Sequence, residues 1–116
     1  MTYDFIFELG GESEATARAL TSLYRWLRED PTVDGDTRVR LLAADAQPGR
    51  MGAADALCAA LSQLSAIGSL AVSFATWRDS RAVAPPVRIR FGAGAIEFAD
   101  TTAEELAAAL HALAAP

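Results

Sequence analysis

Two pairs of arginines and one tryptophan set among arginines are the side chains of this chain best suited to chemistry. Arg38 and Arg40 lie two residues apart, as do Arg88 and Arg90, and both pairs fall in stretches that alternate apolar and polar residues. Strand alternation puts the members of each pair on one face. Guanidinium groups held on one face can grip a phosphate or a carboxylate through paired N–H donors. The same spacing also suits cross-strand ion pairs with Asp4, Glu8 and Glu97. The second group is Arg25, Trp26 and Arg28, at the end of a segment reading SLYRWLREDP. Tryptophan and arginine are favoured where proteins bind one another, although Trp26 could equally pack beneath a loop edge.

Catalysis finds no assembly of groups. His111 is the only histidine and sits off the apolar stripe of its segment, which reads as a surface position. Cys58 is the only cysteine; among alanines in a presumed helix it reads as an inert core thiol. Neither has a partner at a recognisable spacing for nucleophilic chemistry, and metal ligands are too few. Glu29-Asp30 and Glu104-Glu105 are helix-end charges. Gln47-Pro48-Gly49-Arg50-Met51-Gly52 lacks the phosphate-binding patterns of glycine-rich loops, so it reads as a tight connection. No catalytic residue, metal site or cofactor is expected.

The elements that position these groups follow from periodicity. Tyr3 to Leu9 alternates as a strand, and Gly10-Gly11 ends it. Ser13 is a candidate N-cap for a helix running to about Asp30, with Leu20, Leu23, Tyr24 and Leu27 on one face. Pro31 stops that helix and pushes Asp30 out of helical geometry. Asp34-Gly35 signals a turn, and Arg38 to Leu42 is a second strand. One long helix is expected from about Met51 to Arg78, with Gly68 a possible kink. Ala84-Pro85-Pro86 is a rigid connector. Val87 to Phe91 and Ala95 to Ala99 form a hairpin about Gly92-Ala93-Gly94. Asp100, Thr101 and Thr102 cap a last helix carrying Leu106, Leu110 and Leu113 on one stripe.

These elements predict an α+β domain spanning residues 1–116 as one unit. It is a two-layer sandwich with a four-stranded sheet, helices on one face and the order β-α-β-α-β-β-α. The inward set is Tyr3, Phe5, Phe7, Leu9, Val39, Leu41, Val87, Ile89, Phe91, Ile96 and Phe98. Arg38, Arg40, Arg88 and Arg90 should then project from the open face.

The chain has 116 residues, 52% apolar and 22% charged, a globular balance. Its net charge of −5 disfavours nonspecific binding to nucleic acid or anionic membrane. All ten basic residues are arginine, and alanine is abundant, a bias that points to a GC-rich bacterial genome. The lone cysteine and the absence of a leader-like N-terminus fit the cytoplasm. Residues 56–77 carry no charge over 22 positions, long enough for a bilayer. Serines and threonine dilute the run, so a buried central helix is the first reading and a membrane-associating helix the alternative.

SLYRWLREDP (22–31), RVRLL (38–42), QPGRMGAADALCAAL (47–61) and SLAVSFATWRDSR (69–81), in this order, resemble the first type of effector-associated constant component of bacterial conflict systems. The resemblance implies a small non-enzymatic adaptor. It would couple a variable effector, such as a trypsin-like or caspase-like peptidase, to a sensor or regulator. No catalytic residue transfers with it. The expected binding groups are therefore Trp26, Arg25 and Arg28, with the face of Arg38, Arg40, Arg88 and Arg90 as a place for an anion or an acidic partner. The sequence leaves the oligomeric state open.

Overall fold

A computed structural model describes residues 2–9, 14–43, 54–81, 86–98 and 102–115. The Ser13 cap, the loop at 47–52, the helix start at Met51 and the residues Ala84 and Pro85 lie outside the described residues.

The elements run β1 (Tyr3–Leu9), α1 (Glu14–Glu29), α2 (Pro31–Asp34), β2 (Thr37–Ala43), β3 (Ala54–Leu61), α3 (Ala66–Asp79), β4 (Val87–Phe91), β5 (Gly94–Phe98) and α4 (Ala103–Ala114). The sheet has five strands in the order β2-β3-β1-β4-β5, and every neighbouring pair is antiparallel. The expected four-stranded sheet and the order β-α-β-α-β-β-α are thus corrected. The residues read as the start of a long helix from Met51 contain a strand instead.

The physical reason lies in β3 itself. Leu57 and Leu61 are four apart, a separation that keeps two residues on one face of a helix and also on one face of a strand. Leu57, Ala59 and Leu61 pair with Phe7, Phe5 and Tyr3 and line the apolar side of the sheet. Ala56, Cys58 and Ala60 occupy the other side. Because Ala56 and Cys58 are buried too, no polar alternation marks the strand. Alanine's helix propensity is overridden by pairing with strands on both sides. The uncharged run 56–77 is accordingly split between β3 and the 14-residue α3. No helix among the described residues is long and apolar enough to cross a membrane.

Strand β3 lies between β1 and β2, and β1 lies between β3 and β4. Two split β-α-β units therefore interleave, the ferredoxin-like arrangement, extended by β5 and α4. Phe5, Phe7, Leu9, Leu57, Ala59, Leu61, Val87 and Ile89 join one core cluster. That cluster takes Leu20, Leu23 and Leu27 from α1, Ile67, Leu70, Phe74 and Trp77 from α3, and Leu106 and Leu110 from α4. Each fully buried Leu or Phe contributes about 1.5–3 kcal/mol relative to exposure. Tyr3, Val39, Leu41, Phe91 and Ile96 are partly buried against the cluster, as the alternation predicts.

Pro31 does two jobs. Asp30 takes extended geometry (φ −83°, ψ 111°) and ends α1, and Pro31 then opens α2 with Asp30 as its N-cap. The turn expected at Asp34-Gly35 is the end of the four-residue α2: Asp34 is its last residue and Gly35 its C-cap. At the far hairpin, Phe91 pairs with Gly94, leaving Gly92-Ala93 as a two-residue loop. Gly92 has φ +58°, which only glycine adopts freely. Thr102 caps α4 by accepting the Glu105 N–H at 3.2 Å.

Candidate functional site

Helix α1 is fixed to α3 by two reciprocal tryptophan-to-serine contacts. Trp26 Nε1 donates to Ser73 Oγ and to the Ser73 carbonyl, both at 3.0 Å. Trp77 Nε1 donates to Ser22 Oγ at 3.1 Å. The partners recur as Ser-x-x-x-Trp on each helix, at 22–26 and 73–77, so each serine sits one turn from its own helix's tryptophan. Trp77 is buried, whereas Trp26 remains 37% exposed. The Trp26 ring is therefore held in one orientation while much of its surface faces outward.

Asp30 joins this clasp. Its carboxylate accepts from the Thr32 hydroxyl at 2.7 Å and the Thr32 N–H at 2.9 Å. The Thr32 side chain holds the Asp30 pKa below its ordinary value, with a further contribution from the Ser73 hydroxyl, against a weaker pull upward from burial.

The residues expected to act with Trp26 do not all gather there. Arg25 and Trp26 line a shallow hollow of about 540 Å³ with Arg18, Ser22 and Glu29. Arg28 lies on the other flank of α1, as a residue two positions from Trp26 must. Its Nη1 donates to the Tyr24 hydroxyl at 2.9 Å, and its guanidinium lies 5.3 Å from the Tyr24 ring centroid. With Tyr24, Thr37, Arg38 and Val39 it lines a second hollow, of about 370 Å³, beside β2. The two expected groups are thus recombined, one arginine from each meeting at the sheet's end strand.

Arg38, Arg40, Arg88 and Arg90 are all exposed and take the sheet positions opposite in parity to the core rows. They do not form one patch. Across the sheet, Arg40, Cys58, Ile6, Arg90 and Ala95 share a row, so small and apolar residues separate the pairs. Arg90 pairs with Glu8. Arg88 stands in register with Glu8 on one side and Glu97 on the other. Cys58 belongs to this row on β3, not to a helix, and is buried there.

Tyr24, Thr37 and Ser73 were not singled out from sequence. By spacing, Tyr24 reads as part of the core stripe, and Thr37 lies just before the expected strand. The repeated Ser-x-x-x-Trp was the one signal that could have linked the two helices. His111 is exposed on α4, away from both hollows. Among the described residues no three His, Cys, Asp or Glu side chains are grouped to hold a metal.

The fold and these surfaces define a small α+β domain that presents an oriented indole beside Arg25 on one flank of α1 and the guanidinium groups of Arg28 and Arg38 on the other. The family model for Effector Associated Constant Component 1 matches residues 12–114, and the chain belongs to that family. It is thus an effector-associated component of conflict systems. No curated protein and no solved structure matches the chain.

Proposed function

We propose that the domain is a non-enzymatic adaptor that binds a protein partner, either a peptidase-type effector of trypsin-like or caspase-like class or its regulator, in the cytoplasm. The observation that carries this reading is Trp26, an indole fixed by Ser73 yet 37% exposed at the rim of a hollow it shares with Arg25. A preset aromatic loses little side-chain freedom on binding, and tryptophan with arginine is the composition of binding hot spots. Family membership supports an effector association and leaves the choice of effector to experiment.

The test is a quantitative pulldown with the products of the adjacent genes, any peptidase-type protein first, paired with melting curves. Trp26→Phe together with Arg25→Ala should weaken binding about thirty-fold, the equivalent of about 2 kcal/mol. Ser73→Ala removes the buried hydroxyl acceptor but keeps the residue 73 carbonyl that also holds the indole, so it should lower stability by about 1 kcal/mol with binding near that of wild type. Equal binding by the Trp26/Arg25 variant would refute the surface. Failure of the wild type to bind any neighbouring product would refute the adaptor role.

A further inference from the structure

We infer that the outer edge of β2 is a docking site for an extended peptide segment of a partner protein bearing an acidic side chain. The carboxylate would be received in the hollow formed by Tyr24, Arg28, Thr37 and Arg38. This inference rests on the protein-binding reading above, but it concerns a different flank of α1 and a different kind of contact.

Strand β2 stands at the end of the described sheet and pairs only with β3. Alternate residues of an end strand turn their N–H and C=O groups away from the sheet, and a further extended chain can take them up. Beside that edge, the hollow of about 370 Å³ is lined by Tyr24, Arg28, Thr37, Arg38 and Val39, with no carboxylate among them. Its polar groups can all donate. Arg28 has spent one N–H on the Tyr24 oxygen, which leaves the phenolic hydrogen and the remaining guanidinium N–H groups for another acceptor. Arg38 is exposed and reaches the same hollow from the strand.

Thr37 supplies an independent pointer. It is 4% exposed, and its Oγ1 is buried with no hydrogen-bond partner among the described residues. A buried hydroxyl left unpaired is destabilising, so its retention beside two guanidinium groups is explained if an incoming acceptor completes it. Strand charges also discourage indiscriminate edge pairing. Arg38 would then do both, repelling basic strands and accepting an acidic one.

The experiment needs no knowledge of the effector. The full chain is used to select from phage-displayed random twelve-residue peptides, in parallel with Arg28→Gln/Arg38→Gln. The strongest peptide is then titrated into the isotopically labelled chain. The expected peptides carry Asp or Glu among alternating β-branched residues. They should shift the amides of Thr37–Ala43 and Tyr24–Arg28, and lose at least tenfold in affinity when the acid becomes its amide. Both arginines are exposed, so the double variant should keep its melting temperature while losing the selected peptides. Thr37→Val should hold or raise the melting temperature and still weaken the peptide several-fold, which a purely structural threonine would not do. Selection of no peptide, peptides without an acid, equal binding by the arginine variant, or shifts centred on β5 would each overturn the inference. So would inorganic phosphate alone producing the same shifts at the same concentration, since that marks a free-anion pocket. Peptide binding by the wild-type chain, together with its failure to bind any neighbouring product, would refute the adaptor reading instead.

Discussion

Both tryptophans of the chain donate to a serine on the opposite helix, and the consequences differ because only one ring is buried. Trp77 closes the core; Trp26 closes the helix pair and keeps a surface to offer. Asp30 sits where these roles meet, and its chemistry gives a pH prediction. Its folded pKa is depressed below the ordinary carboxylate value, chiefly by the Thr32 hydroxyl. A carboxylate of this kind stabilises the fold above the unfolded pKa, and the contribution fades as pH falls through the lower folded value. Asp30→Asn keeps an N-capping oxygen but cannot ionise. The variant should therefore be less stable than wild type at neutral pH, with the gap closing as the pH drops below about 4. Urea unfolding of both proteins at pH 7 and pH 3 measures this. A gap that stays constant or widens on acidification would remove Asp30 from the account.

At the level of elements, legibility followed the contrast between faces. Strands β1, β4 and β5 and helix α1 were readable because apolar residues alternate or cycle against charged ones. Strand β3 was not, because it is buried on both sides and its Leu57–Leu61 spacing serves either structure. That error also removed one strand from the sheet and hid the interleaved topology. The arginine parity survived it, since parity depends only on β2 and β4. The grouping of Arg25, Trp26 and Arg28 did not survive, because nearness in sequence on a helix is not nearness in space. Gly92 was legible as a turn, and its φ of +58° gives a clean test. Nothing lies within 4 Å of where its Cβ would be, so Gly92→Ala meets only the backbone penalty, about 1–2 kcal/mol. Thermal unfolding should show a fall of several degrees, and an unchanged melting point would contradict the turn geometry.

Across the whole molecule the charge is −5, yet the strand faces outside the core carry four arginines against Asp4, Glu8 and Glu97. Acidic groups lie elsewhere, including Glu104 and Glu105 in the first turn of α4. Two hollows flank α1 on its two sides, one on the side of Trp26 and Ser22 that meets α3 and one beside β2. On the adaptor reading proposed above, the binding side is expected at α1, with α4 and β5 away from the partner. Hydrogen–deuterium exchange on the domain, alone and mixed with the adjacent-gene product that the pulldown identifies, reads this claim without any mutation. Amides of Glu14–Glu29 and Thr37–Ala43 should gain protection on mixing, while those of Gly94–Phe98 and Ala103–Ala114 stay unchanged. Protection confined to β5 and α4, or no change anywhere, would contradict it.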